Sequence, residues 1–168
     1  MYQIPSLPYE YSDLEPYIDE ATMKVHHLKH HQAYTDKLNA ALEKYPELKD
    51  ADLSTLIYEA DTALPEDIRT TVINNGGGYL NHSFFWPLLR RPESETNEPT
   101  GTAIGKALNA EFENYEGFKK QFSEKALGLF GSGWTWLLVD KTGKLKIENT
   151  ANQLLAPRGS RAVLALDL

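Results

Sequence analysis

The sequence predicts an α+β fold of two domains: an N-terminal antiparallel helical hairpin domain, and a C-terminal domain of helices and a small three-stranded antiparallel sheet. Three observations predict it. Residues 23–86 hold long stretches with helical spacing or composition. Residues 134–168 hold three short runs rich in aromatic and branched side chains. Residues 90–101 are polar and rich in helix breakers, so we place the boundary there, with domains at 1–91 and 92–168.

The N-terminal domain opens with an extended segment, because residues 4–11 contain two prolines that disfavour helix. A turn follows, and Asp19 or Thr22 then offers an N-cap for the first long helix. This helix lacks Gly and Pro and is predicted to end at Leu42 or Tyr45. It carries four of the five histidines of the chain, which makes it the first place to look for a functional site.

A second helical region follows a short helix predicted at 52–60. It begins near Pro65, with Glu66 and Asp67 in the first turn, where the helix dipole favours acidic side chains. Residues 76–78 are three consecutive glycines, each of which costs about 1 kcal/mol relative to alanine inside a helix. Two interpretations are open: a glycine-rich loop followed by an aromatic core patch, or a helix whose backbone packs closely against the histidine helix.

Two helices and three strands are predicted in the C-terminal domain. The helices span 102–113 and 115–130, and the second has an apolar face. That face consists of Phe118, Phe122, Ala126, Leu127 and Phe130. The strands span 134–139, 145–149 and 162–168, and a hairpin turn at 140–144 joins the first two. The third strand is apolar enough to be central and buried in the sheet.

Composition excludes several classes of function. A net charge of −7 and a pI near 5.2, without a cluster of Lys and Arg, argue against a nucleic-acid partner. No run of about 18 apolar residues is present, and the N-terminus lacks the features of a signal peptide, so we expect no membrane partner and a cytoplasmic location. The absence of cysteine excludes disulfides and thiolate ligands. A metal would therefore be held by nitrogen and oxygen atoms, and Mn, Fe and Zn are the leading candidates.

The candidate site lies on one face of the first helix, where His26, His30 and Tyr34 are spaced i, i+4, i+8. The two other histidines of this helix lie on an adjacent stripe. Neutral imidazole is the commonest ligand for borderline metals and titrates near neutral pH, so this face could hold an ion and manage its protons. A polar face with hydrogen-bonded histidines is the alternative. The fifth histidine, His82, favours a metal site over a merely polar face, provided that close helix packing brings it to His26.

Four motifs in a fixed order resemble those of a known family. They are His-His-x-x-His-His-x-x-Tyr at 26–34, Asn-His-x-x-Phe-Trp at 81–86, Gly-Ser-Gly-Trp at 131–134, and a late strand that ends in Asp167. In this order they resemble the iron/manganese superoxide dismutases, over essentially the whole chain. The resemblance implies an enzyme that converts superoxide to dioxygen and hydrogen peroxide, with one manganese (Mn) or iron (Fe) ion per chain, and a homodimer.

The resemblance also implies roles for individual residues. The metal ligands it implies are His26, His82 and Asp167, and the residues that act around the ion are Tyr34, His30 and Gln153. Tyr34 corresponds to the phenol beside the substrate channel, and His30 to its proton-relay partner. Gln153 lies where manganese-type members place a glutamine that hydrogen-bonds the metal-bound solvent. Iron-type members carry their glutamine at the position of Gly78, so manganese is favoured.

Asp167 has two interpretations from its own context. A carboxylate at the end of an apolar strand is costly to bury without a cation partner, which favours the ligand role. The alternative is a strand-end residue in water.

The sequence departs from the family near its end. Relatives follow the aspartate ligand with Trp and then Glu-His, whose histidine is the fourth protein ligand, whereas this sequence ends at Leu168. We therefore expect an incomplete C-terminal domain, with weak or absent activity that a restored segment recovers. Two other interpretations are open. One is a relative that keeps the fold without the activity. The other is a zinc hydrolase using His26 and His82, for which no general base is evident.

Overall fold

A computed structural model describes residues 1–92 and 98–168. It divides into two compact units. The first comprises Met1–Pro92 together with Gln153–Leu155, and the second comprises the remaining residues. The inclusion of Gln153–Leu155 in the first unit was not predicted. The precise boundary between 91 and 92 stays a prediction, and the middle of the predicted linker lies outside the described residues.

The first unit is helical. Its α-helices are α1 (Glu20–Val25), α2 (Gln32–Glu43), α3 (Leu53–Tyr58), α4 (Ala60–Ala63) and α5 (Glu66–Phe85). Short 3-10 helices cover Tyr11–Leu14, Pro46–Leu48 and Trp86–Leu88. Residues 1–10 form no helix or strand, as predicted for the N-terminal segment, except that its last residue, Tyr11, begins a 3-10 helix. Asn39 holds this segment in place, because its side chain bonds both the backbone N–H and the carbonyl of Tyr2, each at 2.9 Å.

The histidine helix is continuous from Glu20 to Glu43. Asp19 is its N-cap, since its side chain accepts a hydrogen bond from the backbone N–H of Thr22 at 2.8 Å. Between α1 and α2, residues His26–His31 adopt a π-helix, which the sequence pattern did not predict. Such π-helical turns are rare and often lie at functional sites.

Helix α5 passes straight through the three glycines, so the glycine-rich loop was the wrong interpretation. It runs antiparallel to the histidine helix. Three pairs of neighbours show this: His26 lies near His82, Tyr34 near Gly78, and Leu38 near Gly76. Moving towards the C-terminus of the histidine helix therefore means moving towards the N-terminus of α5. The cost of glycine in a helix is offset here by packing, because tertiary contacts supply most of the stability of a helix in a protein.

The core of the first unit lies between α2, α5 and the shorter helices. Its buried members are Leu38, Ala41, Leu42, Leu53, Leu56, Ala60, Leu64, Ile68 and Val72. This core fixes the two long helices against each other, and it therefore fixes the relative positions of the side chains that they carry.

The second unit begins with helices α6 (Ala103–Phe112) and α7 (Tyr115–Leu127). Each has a side-chain N-cap, Thr102 for α6 and Asn114 for α7. Helix α7 ends at Leu127 rather than at the predicted Phe130, whose side chain is fully exposed. Gly128 forms the C-cap, and its backbone N–H bonds to the carbonyls of Ala126 and Glu124. The predicted apolar face is correct for Phe118, Phe122 and Ala126, which are buried, and wrong for Leu127 and Phe130.

The sheet of the second unit has three antiparallel strands, as predicted. They are β1 (Gly133–Val139), β2 (Leu145–Ala151) and β3 (Arg161–Asp167). The strand order is β2-β1-β3, so the first strand is central and the prediction of a central third strand is wrong. Most residues of β3 are only partly buried, because an edge strand has a neighbour on one side only. Asp167 lies opposite Trp134 in the ladder.

Among the helices of the described residues, none has both the length and the apolar character needed to cross a membrane.

Candidate metal centre

Three histidines of the first unit converge. His26, His30 and His82 each offer a ring nitrogen, and these nitrogens all lie within 4.8 Å of one another. The burial of the three differs: His82 is completely buried, His26 is partly buried and His30 is exposed. The group therefore reaches from the interior of the helical unit to its surface.

The orientation of the His82 ring is fixed by its own helix. Its Nδ1–H donates a hydrogen bond to the carbonyl oxygen of Gly78 at 2.7 Å. The Nε2 atom consequently has no proton in the neutral ring, and it faces the Nε2 atom of His26 at 3.1 Å. A backbone carbonyl that binds the other nitrogen of a histidine ligand sets the tautomer and raises the basicity of that ligand.

This pair suits a metal ion. Two nitrogen lone pairs that face each other repel, unless a proton or a cation lies between them. Bonds between imidazole nitrogens and a divalent ion are about 2.0–2.1 Å long, so two nitrogens 3.1 Å apart can reach one ion. Without sulfur ligands, a nitrogen and oxygen donor set suits manganese, iron or zinc. His26 and His82 therefore fit a metal centre.

Trp86 forms an apolar wall beside the pair. Its ring meets the ring of His26 edge to face, with centroids 4.9 Å apart. Its Nε1–H donates to Nδ1 of His31 at 3.0 Å, and Nε2–H of His31 donates to the carbonyl of Tyr79 at 3.2 Å. Burial, and after it the charge of His82, lowers the pKa of His31 to about 3, so His31 stays neutral. The buried hydrogen bond between Trp86 and His31 therefore fixes the Trp86 ring beside His26.

His27 also has a structural place. Its Nε2–H donates to the carbonyl of Pro5 at 2.9 Å, and its Nδ1 pairs with the hydroxyl of Tyr11 at 2.9 Å. Burial lowers the pKa of His27. His27 therefore ties the N-terminal segment to the histidine helix.

Tyr34 and His30 lie together at the more open side of the group. Their rings are 4.8 Å apart and nearly perpendicular, and the Tyr34 ring is 5.4 Å from that of His82. A phenol beside an imidazole can donate, accept and pass on a proton. The ring of Tyr34 lies directly against Gly78, where a Cβ atom would be 2.5 Å from the ring. A side chain at position 78 would displace Tyr34.

Two family models match the chain. One, described as the alpha-hairpin domain of iron/manganese superoxide dismutases, matches residues 1–90. The other, the C-terminal domain of the same enzymes, matches residues 99–168. The chain belongs to the iron/manganese superoxide dismutase family. A similar relative is the protein named superoxide dismutase [Mn] of Thermus aquaticus, which is 49% identical over 152 residues, covering 90% of this chain and 72% of the relative.

For this member of the superoxide dismutase family, the structure brings together four of the six residues singled out from the sequence. They are His26, His30, Tyr34 and His82. Gln153 belongs to the same unit and lies against α5, where the side-chain amide of Asn81 points towards its carbonyl oxygen at 3.3 Å. Asp167 ends β3 in the second unit and is partly buried. The roles of these residues stay predictions.

Sequence reasoning missed the surroundings of Gln153. Gly77 and Asn81 contact its backbone, and although both lie in stretches that the sequence singled out, neither was linked to Gln153. The run of glycines indicated close packing against α5, but it did not indicate which segment of the chain packs there. The hydrogen bond between Trp86 and His31 was also missed, because nothing in the spacing of these residues indicates it.

Proposed function

We propose that this protein converts superoxide to dioxygen and hydrogen peroxide at one manganese or iron ion per chain. The observation that carries the proposal is the His26 and His82 pair, whose Nε2 atoms lie 3.1 Å apart while Nδ1 of His82 is held by the carbonyl of Gly78. Membership of the family and the likeness to a manganese superoxide dismutase support the same activity. Neither zinc hydrolysis nor an inactive relative is favoured by these findings.

In this proposal His26 and His82 hold the ion, and Asp167 adds a carboxylate. When bound, the ion supplies the one-electron exchange that two successive superoxide anions require. Overall, two superoxide anions and two protons give one dioxygen and one hydrogen peroxide. His30 lies within reach of the two ligands, but it is exposed and stacks edge to face on Tyr34. We therefore assign His30 to proton transfer.

The residues around the pair have separate tasks. Trp86 keeps water away from one side of His26. Tyr34 and His30 supply protons from the open side, since a phenol and an imidazole together can relay a proton from solvent. Gln153 contributes a side-chain amide that adjusts the hydrogen bonding of solvent at the ion.

Manganese is the proposed ion. Gly78 carries no side chain, and a Cβ atom there would lie 2.5 Å from the Tyr34 ring, so there is no room at this position for a glutamine. Gln153, which Asn81 contacts, is then the glutamine available to the site. The name of the Thermus aquaticus relative also specifies manganese.

Assembly and location are further proposals. We propose a cytoplasmic location, superoxide as the small-molecule partner, and the homodimer that the resemblance implies for full-length members of the family. The net charge of −7 supports the expectation that nucleic acid is not a partner.

The test is to express the complete gene in cells supplied with both manganese and iron, and to measure metal content and superoxide consumption in the purified protein. We expect manganese with activity that chelation abolishes. Zinc without superoxide activity would overturn the proposal, and iron with full activity would overturn the choice of manganese alone.

A further inference from the structure

The three glycines of α5 face three different neighbours. A Cβ atom at Gly76 would meet the ends of three flexible side chains, those of Ile57 and Leu53 at 3.1 Å and that of Leu38 at 3.5 Å. At Gly78 it would meet the ring of Tyr34. At Gly77 it would lie 2.0 Å from the carbonyl oxygen and 3.1 Å from the carbonyl carbon of Gln153. Gly77 is therefore the position at which α5 touches the backbone of another segment.

Asn81 lies one helical turn beyond Gly77 on the same face of α5. Its side chain is almost completely buried. Its Nδ2 group points towards three oxygens: the carbonyls of Gln153 at 3.3 Å and Leu154 at 3.4 Å, and Oε1 of Gln153 at 3.5 Å. A single amide thus serves both the backbone and the side chain of the segment Gln153–Leu155.

We propose that Gly77 and Asn81 are positioning residues that set the place and orientation of Gln153. This inference rests on the proposed function, in which Gln153 acts beside the ion. Gly77 lets the carbonyl of Gln153 approach the helix, and Asn81 holds that carbonyl and the one that follows. Because Oε1 of Gln153 accepts from Asn81, this bond distinguishes the acceptor end of the Gln153 amide from its donor end, Nε2.

The residues next to Gly77 and Asn81 in the chain belong to the proposed metal centre. Asn81 directly precedes His82 in the chain, and Gly77 directly precedes Gly78, whose carbonyl binds Nδ1 of His82. One stretch of α5 therefore positions both a proposed ligand and the segment that carries Gln153. A shift of the segment changes the distance from Gln153 to the ion without removing a ligand.

The expected size of the effect follows from the contact at Gly77. Contacts to real Cβ atoms below 3.0 Å essentially never occur, so the Gly77→Ala change must move the carbonyl of Gln153 by about 1 Å. A misplacement of this size in a catalytic group commonly lowers the rate about 100-fold. We expect a fall of about 10-fold to 100-fold in the rate of superoxide consumption, with metal content unchanged.

The experiment compares Gly77→Ala and Asn81→Ala with Gly76→Ala in the metal-loaded protein. All three lie in α5, and the two glycine variants bring the same gain in helix propensity, but only Gly76→Ala leaves Gln153 untouched. We expect faster amide hydrogen exchange at 153–155 and a changed reduction potential of the ion in Gly77→Ala and Asn81→Ala. Gly76→Ala should match the parent in both. Parental exchange and potential in Gly77→Ala would overturn the inference.

A Gln153→Ala background separates this inference from the proposed function. If Gly77 acts through Gln153, adding Gly77→Ala to Gln153→Ala causes no further loss of activity, whereas additive losses would contradict the inference. If Gln153→Ala alone changes neither activity nor potential, the proposed role of Gln153 fails. Hydrogen exchange at 153–155 then decides whether Gly77 and Asn81 position the segment.

Discussion

His26 and His82 are 56 positions apart in the sequence, yet their Nε2 atoms lie 3.1 Å apart. The antiparallel pairing of the histidine helix with α5 brings them together, and the carbonyl of Gly78 turns the His82 ring towards His26. The neighbouring histidines of the same helix are used differently: His27 and His31 bond to backbone carbonyls. Within one run of four histidines, the fold therefore separates His26 and His30, whose rings converge with His82, from His27 and His31, whose rings bond to backbone carbonyls.

The first prediction tests this separation. His82→Gln removes a proposed ligand from a completely buried position, so we expect metal content to fall at least about 10-fold, since even changes to the partners of ligands cost about 10-fold to 100-fold in metal affinity. His27→Gln loses the bonds to Pro5 and Tyr11 and should lower the free energy of unfolding while the metal is retained. Metal analysis and urea denaturation measure the two effects. Equal loss of metal in both variants would contradict the separation.

The sequence was sufficient to predict that His26, His30 and Tyr34 share one helix face, because their spacing reports on that face, and the motif order pointed to the family in which His82 joins them. It was less informative where a distant segment decides the outcome. Helix propensity at 76–78 counts only the local cost of glycine, and it cannot register that Tyr34 and Gln153 occupy the space a side chain would fill. The helix through the glycines was consequently left undecided.

The errors in the C-terminal domain have related causes. Apolar content reports how far a strand is buried, but not which strands pair with it, so β3 was placed at the centre of the sheet although β1 takes that position. The i, i+4 pattern extends one turn past Leu127, whereas α7 ends at Leu127 and Gly128 forms its C-cap. Both outcomes depend on backbone geometry that hydrophobic periodicity does not contain.

A second prediction concerns the proton relay. Tyr34→Phe keeps the ring against Gly78 but removes the hydroxyl, so metal content should stay unchanged while superoxide turnover falls about 10-fold to 100-fold. The rate should become more dependent on the concentration of added proton donors, because solvent must replace the phenol. Stopped-flow measurement of superoxide decay with and without added imidazole tests this. An unchanged rate would remove Tyr34 from the relay.

A third prediction concerns the wall beside His26. Trp86→Phe deletes the donor to Nδ1 of His31 and leaves a completely buried acceptor without its bond, which costs about 1–3 kcal/mol in the free energy of unfolding. Trp136→Phe is the matched control: its indole donates to the hydroxyl of Thr150, which is only partly buried and can turn to water. Urea denaturation of both variants should show the larger loss for Trp86→Phe. Equal losses would mean that indole volume, rather than the bond to His31, accounts for the change.

The last prediction concerns alkaline pH. Tyr9 donates its hydroxyl to the carbonyl of Trp86 at 3.0 Å, and burial raises the pKa of Tyr9 from 10.0 to about 12. The unfolded chain therefore releases this proton near pH 10, while the folded protein retains it. The stabilisation is fully present below pH 10 and is lost as the pH rises towards 12. Tyr9→Phe should show a smaller fall in the free energy of unfolding between these pH values, whereas Tyr17→Phe, at an exposed position, should match the parent. Urea denaturation at several pH values measures the free energy of unfolding of both variants. Other tyrosines also titrate in this range, so the test compares the pH dependence of the two variants with each other. Identical pH profiles for the two variants would contradict the raised pKa of Tyr9 in the folded protein.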